Sequence, residues 1–149
     1  MPAVKHRAWL VQALQGLTRP GHPLRAAEIG VASGLLSEHL LRALPELRLV
    51  MVDRWRAPLV GEPDAPDFTR KTQATYDAAM QEAIRRTDFC PLRRQILQAD
   101  SVRAAAAFGD GFFDLAFVDA GHHYGSVRGD LRAWWPKVRR GGWLAGHDI

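Results

Sequence analysis

Acidic side chains stand at several places in this sequence where a carboxylate can do chemistry. The first, Glu28, opens the run Glu28-Ile29-Gly30-Val31-Ala32-Ser33-Gly34, and Asp53 closes the next apolar run, Leu47 to Val52. A strand ending in a glycine turn that opens a helix brings backbone close to a ligand. An acid on the following strand can then hold both hydroxyls of a ribose. The spacing describes a nucleotide cradle. Gly30 and Gly34 give the ligand access to the backbone, Val31, Ala32 and Ser33 lie between them, and a helix starting near Ser33 offers free N–H groups. A dinucleotide would place its pyrophosphate on that helix end. The glycine spacing does not match the dinucleotide fingerprint, however, and an acid precedes it, which suits a cationic, amine-bearing ligand better than NAD.

A second constellation is formed by Asp119, His147 and Asp148. If two neighbouring strands end at Asp119 and at His147-Asp148, two carboxylates and an imidazole meet. Such donors suit Mg²⁺, Ca²⁺ or another divalent cation, which could fix two substrate oxygens and acidify a hydroxyl. The plainer alternative leaves Asp119 to a cofactor and lets His147-Asp148 end a strand. His122 follows a strand-end aspartate, and an imidazole titrating near neutrality can take a hydroxyl proton. His6, His22 and His39 read as surface residues.

The elements that must position these groups alternate between strand and helix. Strands are expected at Leu24 to Ile29, Leu47 to Val52, Gln95 to Ala99 and Leu115 to Val118, with a fifth beginning at Trp143 to Ala145. Helical patterns cover Ser33 to Leu44, with Leu36, Leu40 and Leu44 on one face, then Ser101 to Phe108, and Tyr124 to Val138. Val127, Leu131, Trp134 and Val138 share a face of the last of these. Pro136 should kink it or restart a final turn, and Arg139-Arg140 with Gly141-Gly142 supplies its exit. Trp134 and Trp135 read as packing residues. Asp100 or Ser101 can cap the helix that follows them. Five strands with intervening helices imply an α/β fold, a Rossmann-like doubly wound parallel sheet.

Two stretches flank this core. Lys5, His6 and Arg7 precede an apolar segment, but Gln12 and Gln15 interrupt it and no small-residue cleavage site follows. Val4, Ala8, Val11 and Leu14 instead make residues 1–20 an amphipathic helix. Residues 54–90 form a loop-and-helix cover. Pro58, Gly61, Pro63 and Pro66 break the chain, and Tyr76, Met80, Ala83 and Ile84 then make a helical stripe. The loop has the composition of a mobile cover over a strand-end site.

The 149 residues suit a single domain, with 47% hydrophobic and 24% charged residues. No apolar stretch is long enough to span a membrane. One cysteine, Cys90, cannot form an internal disulfide, so a reducing cytoplasm is expected. The net charge of +4 comes from scattered basic residues rather than one run, so a nucleic-acid partner is not expected.

The order Glu28-x-Gly30-x-x-x-Gly34, Asp53, Asp100-Ser101, Asp119 resembles the class I S-adenosylmethionine-dependent methyltransferases. The closing segments Phe117-Val118-Asp119-Ala120-Gly121-His122-His123-Tyr124, Trp134-Trp135-Pro136-Lys137 and Gly141-Gly142-Trp143-Leu144-Ala145-Gly146-His147-Asp148 are similar to a bacterial subgroup of small-molecule O-methyltransferases. The resemblance implies S-adenosylmethionine as cofactor and methyl transfer to an oxygen of a small molecule. It gives the ribose to Asp53, the adenine edge to Asp100 and Ser101, further cofactor contacts to Trp55 and Asp119, and the metal to Asp119, His147 and Asp148. It also favours His122 over His123 as the base. Ala32 and Gly121 depart from the family pattern. The family continues past the fifth strand into a helix and an antiparallel strand pair. The expectation is therefore a sheet lacking that pair, whose edge a second copy would cover. A non-catalytic cofactor-binding or interaction module and a nucleic-acid methyltransferase are the alternatives.

Overall fold

Continuous apolar runs make the strands here, because a parallel strand buried on both faces has no polar side to show. The computed structural model describes residues 2–59, 61–62, 71–121 and 123–147, with side chains from Arg7 onward. Strands β1 (Leu24–Ile29), β2 (Leu47–Asp53), β3 (Arg94–Gln98), β4 (Phe113–Val118) and β5 (Val138–Gly146) form a parallel sheet in the order β3-β2-β1-β4-β5. The strand order reverses direction between β1 and β4, and ligands of open α/β sheets bind at the carboxyl side of such a switch point.

Helices cover both faces. Leu10, Leu14 and Leu17 from and just beyond α1 (Pro2–Gly16) pack with Leu40 and Leu41 of α2 (Leu35–Ala43) and Ala83 of α3 (Gln73–Thr87). They cover Leu24, Ala26, Leu49, Met51, Leu115 and Phe117 of the sheet. On the other face Ala104 and Ala105 of α4 (Ser101–Ala105) and Trp134 of α5 (Tyr124–Trp134) pack on Ala27, Ile29, Val50, Val52, Ala116 and Val118. No helix among the described residues is long and apolar enough to cross a membrane.

Several sequence expectations shift. The buried face of α1 runs through Leu10 and the expected Leu14, with Val11 packed beside them, while Ala8 is exposed and the side chain of Val4 lies outside the described residues. Helix α2 starts at Leu35, not Ser33, because Gly34 takes a left-handed turn with φ 77°. Pro136 does restart a short 3-10 turn, Trp135–Lys137. Beyond it the chain does not leave a helix. Val138, Arg139, Arg140, Gly141 and Gly142 already belong to β5, whose register against β4 jumps between Phe113 and Leu115. That irregularity follows from Gly141 at φ 76° and from a close approach at Gly142, where a Cβ would stand 2.5 Å from the Asp114 carbonyl oxygen. Arg139 is drawn into the strand by Asp114, whose Oδ1 accepts from its Nε at 2.6 Å. The Pro-rich stretch expected to form a mobile cover lies mostly outside the described residues.

Candidate active site

The carboxyl ends of β1, β2 and β4 are laced together by backbone. Gly30 N donates to Val52 O at 2.8 Å and Asp119 N to Ile29 O at 2.7 Å. Above this seam opens a cavity of about 1050 Å³ whose walls include Glu28, Gly30, Asp53, Asp100, Ser101 and Asp119. Val31, Ala32 and Ser33 of the glycine turn line it as well.

The glycines turn out to serve the protein's own packing. A Cβ on Gly30, at φ 92°, would lie 2.1 Å from Asp119 O, so only glycine lets β1 and β4 end side by side. A Cβ on Gly34 would lie 2.8 Å from the Cα of Ala83, so that glycine admits α3 rather than a ligand. The backbone access expected of Gly34 is absent from the cavity wall, while Gly30 does face it.

Asp53 has a larger structural role than the ribose assignment implies. Its Oδ2 accepts from Val31 N and Ala32 N, both at 2.9 Å, and its Oδ1 accepts from Trp55 N at 2.9 Å. With two N–H groups on Oδ2 and one on Oδ1, the carboxylate keeps a single acceptor site, on Oδ1. Trp55 departs from its expected place. Its side chain is buried and its indole Nε1 donates to Ala32 O at 2.8 Å, so it braces the glycine turn from within the core and does not line the cavity. Both Ala32 (φ 50°) and Trp55 (φ 41°) hold left-handed backbone.

Glu28 is 2% exposed and accepts from the Ser37 hydroxyl of α2. Burial pushes its carboxyl up to about 8, the Ser37 hydrogen bond opposes this, and the neighbouring charges of Asp119 and Asp53 add to it, while Arg7 pulls it back. At neutral pH this acid is mostly protonated.

Asp100 caps α4, its Oδ1 accepting from Arg103 N at 3.2 Å, and Ser101 Oγ accepts from Trp134 Nε1 at 2.9 Å. Both still line the cavity, so capping and ligand contact are compatible. Of the second constellation, Asp119 Oδ1 and His147 Nδ1 stand 4.0 Å apart. His122 and Asp148 lie outside the described residues. Carboxylate and imidazole suit a divalent cation in donor type. Among the described residues no group of three metal-ligating side chains forms. His123 caps α5, its Nδ1 accepting from Gly125 N at 3.3 Å. An imidazole accepting at Nδ1 carries its proton on Nε2, so in this arrangement His123 offers a donor, not a base.

Sequence reading missed three parts of the wall. Gly125, Ser126 and Gly129 of α5 let the helix approach the cavity closely, and the small residues four apart at Gly125 and Gly129 were the available signal. Lys71 and the Arg56–Glu62 pair, joined at 2.7 Å, come from the loop after β2. Arg7 comes from α1, and nothing in its local sequence marks it as a site residue.

A family model described as a methyltransferase domain matches residues 27–149. Among solved structures, a protein of Corynebacterium glutamicum superposes with TM-score 0.65 at 18% identity, covering 94% of this chain and 56% of that one. A caffeoyl-CoA O-methyltransferase candidate from Staphylococcus aureus gives 0.66 at 13% identity, covering 93% and 55%. Spermidine synthase from Thermotoga maritima gives 0.60 at 14% identity, covering 94% and 43%. At these identities the structures speak for the fold, and the chain spans about half the length of each. No curated protein matches the chain. The family match over most of the sequence, on a switch-point cavity rimmed by Glu28, Asp53 and Asp119, shows that the chain belongs to the methyltransferase-domain family, the class I S-adenosylmethionine-dependent methyltransferases.

Proposed function

We propose that this chain binds S-adenosylmethionine across the carboxyl ends of β1, β2 and β4 and transfers its methyl group to an oxygen of a small-molecule acceptor. The observation that carries the reading is the convergence of Glu28, Asp53, Asp100 and Asp119 on one cavity of about 1050 Å³. A cleft of that size stands at the upper end of the range for small-molecule sites.

Their lining of one cavity supports these roles: Asp53 Oδ1 has one acceptor site left for a ribose hydroxyl, Asp100 and Ser101 take the adenine edge, and Glu28 and Asp119 offer carboxyl groups to the amine-bearing end. The methyl group moves from the sulfonium to the acceptor oxygen in line, and the acceptor's proton leaves to a base. Holding donor and acceptor in contact supplies much of the acceleration. His122 is assigned the proton because His123 is committed to its cap. A divalent cation, when bound by Asp119, His147 and Asp148, would polarise the acceptor oxygen. Cys90, the single thiol, is buried and free, which suits a reducing cytoplasm as the setting. A second copy of the chain against β5 would cover the sheet edge.

Calorimetric titration with S-adenosylmethionine and S-adenosylhomocysteine tests the reading. Both should bind, and Asp53→Ala should weaken both at least about tenfold, since it removes the ribose partner and the turn's anchor together. Binding of neither ligand overturns the assignment. With a competent acceptor, His122→Ala should cut turnover by about 10²-fold or more and His123→Ala by far less.

A further inference from the structure

The amino-acid end of S-adenosylmethionine is a zwitterion, and a site that accepts it must meet an ammonium with acids and a carboxylate with a donor. The acids are plain: Glu28, Asp53 and Asp119 share the rim. The donor is not supplied by the expected motif residues. Four basic side chains line the cavity, namely Arg7, Arg54, Arg56 and Lys71. Arg54 and Arg56 both face Glu62, at 3.9 and 2.7 Å, so their charge is largely spent within the loop after β2. Lys71 is exposed where α3 begins. Arg7 is different. It is half-buried, projects from the helix packed over β1, and has no ion-pair partner among the described residues. It lines the same cavity as Glu28, the acid that would face the ammonium, and its charge opposes slightly the rise of that carboxyl. An ammonium and a carboxylate on one carbon require an acid and a cation that close together.

We infer that Arg7 of α1 holds the carboxylate of the methyl donor, making α1, which lies outside the matched family region of residues 27–149, part of the cofactor site. The inference rests on the methyl-donor reading above and adds to it a specificity: the site selects the intact amino-acid moiety. A guanidinium presents paired donors that fit a carboxylate in two-point fashion, which a lysine or glutamine cannot reproduce.

The test compares S-adenosylmethionine with its decarboxylated form, which keeps the adenosine, sulfonium and ammonium groups and lacks only the carboxylate. In titrations at low salt the wild type should prefer the intact cofactor by about 10- to 100-fold, the range for a hydrogen-bonded charged group. Arg7→Gln should bring the ratio near one by weakening the intact cofactor alone, and Arg7→Lys should retain part of the preference. Circular dichroism of each variant checks that α1 remains folded. Equal wild-type binding of the two cofactors overturns the inference and leaves the methyl-donor reading standing. So does a ratio unchanged in a folded Arg7→Gln. Binding of neither cofactor by the wild type overturns both.

Discussion

The two ends of the same sheet each bury a carboxyl group, and they treat it in opposite ways. At the amino end Asp114 of β4 is enclosed, with Arg139 Nε at 2.6 Å, Arg19 at 3.5 Å and the Arg25 backbone N–H at 2.9 Å. At the carboxyl end Glu28 of β1 is equally enclosed and receives one hydroxyl, from Ser37, while its nearest charged neighbours include two further acids. Backbone follows the same division. The left-handed non-glycine residues among those described, Ala32 and Trp55, both stand at the carboxyl end. One end is satisfied and holds the fold together. The other keeps a buried carboxyl group protonated at neutral pH and holds left-handed backbone beside the cavity.

The largest expected effect comes from titrating the carboxyl end. Glu28 is raised from 4.5 to about 8 in the folded chain. The native state therefore keeps a proton that the unfolded chain gives up, and this contribution is fully present below about pH 4.5. It is lost as pH rises through about 8, where the buried carboxylate must ionise. At about 1.4 kcal/mol per pK unit the loss is several kcal/mol, up to ~5. Denaturant titrations from pH 5 to 9 should show wild-type stability falling across that range, and Glu28→Gln should remove most of the slope. A wild-type curve as flat as the variant's would erase the contrast between the two ends.

Much of this carboxyl end is legible in the amino-acid sequence. The acids and glycines at strand ends are adjacent in sequence to apolar runs, and a parallel sheet forces those ends together. What is not legible depends on side-chain direction and long-range approach. Ser37 reaches Glu28 only because α2 lies across β1, and Trp55 turns inward because its indole finds the Ala32 carbonyl. The amino end is hidden for the same reason. Asp114 and Arg139 pair across β4 and β5, and the sequence Arg139-Arg140-Gly141-Gly142 reads locally as a helix exit rather than as an irregular strand.

Breaking the satisfied end is the next test. Asp114→Ala strands Arg139 and the Arg25 N–H, and removing one partner from a buried pair costs about 3–4 kcal/mol. The melting temperature should fall by roughly 10 °C for a domain of this size. Asp114→Asn, which keeps an acceptor for the Arg25 N–H, should fall between. Cofactor binding at the far end of the sheet should be unchanged in the fraction that stays folded. A loss under about 1 kcal/mol for Asp114→Ala would mean that the pair is no better balanced than Glu28.

The smallest effect concerns strain in the turn itself. Ala32 is exposed, and its methyl group packs on little, yet its φ of 50° is a conformation that costs an L-residue about 1–2 kcal/mol. Ala32→Gly relieves that cost and adds about 0.5–1 kcal/mol of unfolded-state entropy, so the balance should be a gain of less than about 1 kcal/mol, read as a rise of roughly 1–3 °C in melting temperature. The turn is held at φ 50° by Asp53, which takes the Ala32 N–H, and by Trp55, which takes the Ala32 carbonyl. In the Asp53→Ala background those restraints are weakened, and the benefit of the glycine should shrink. If Ala32→Gly instead lowers stability in the wild-type background, the turn carries no strain, and the carboxyl end differs from the amino end in charge alone.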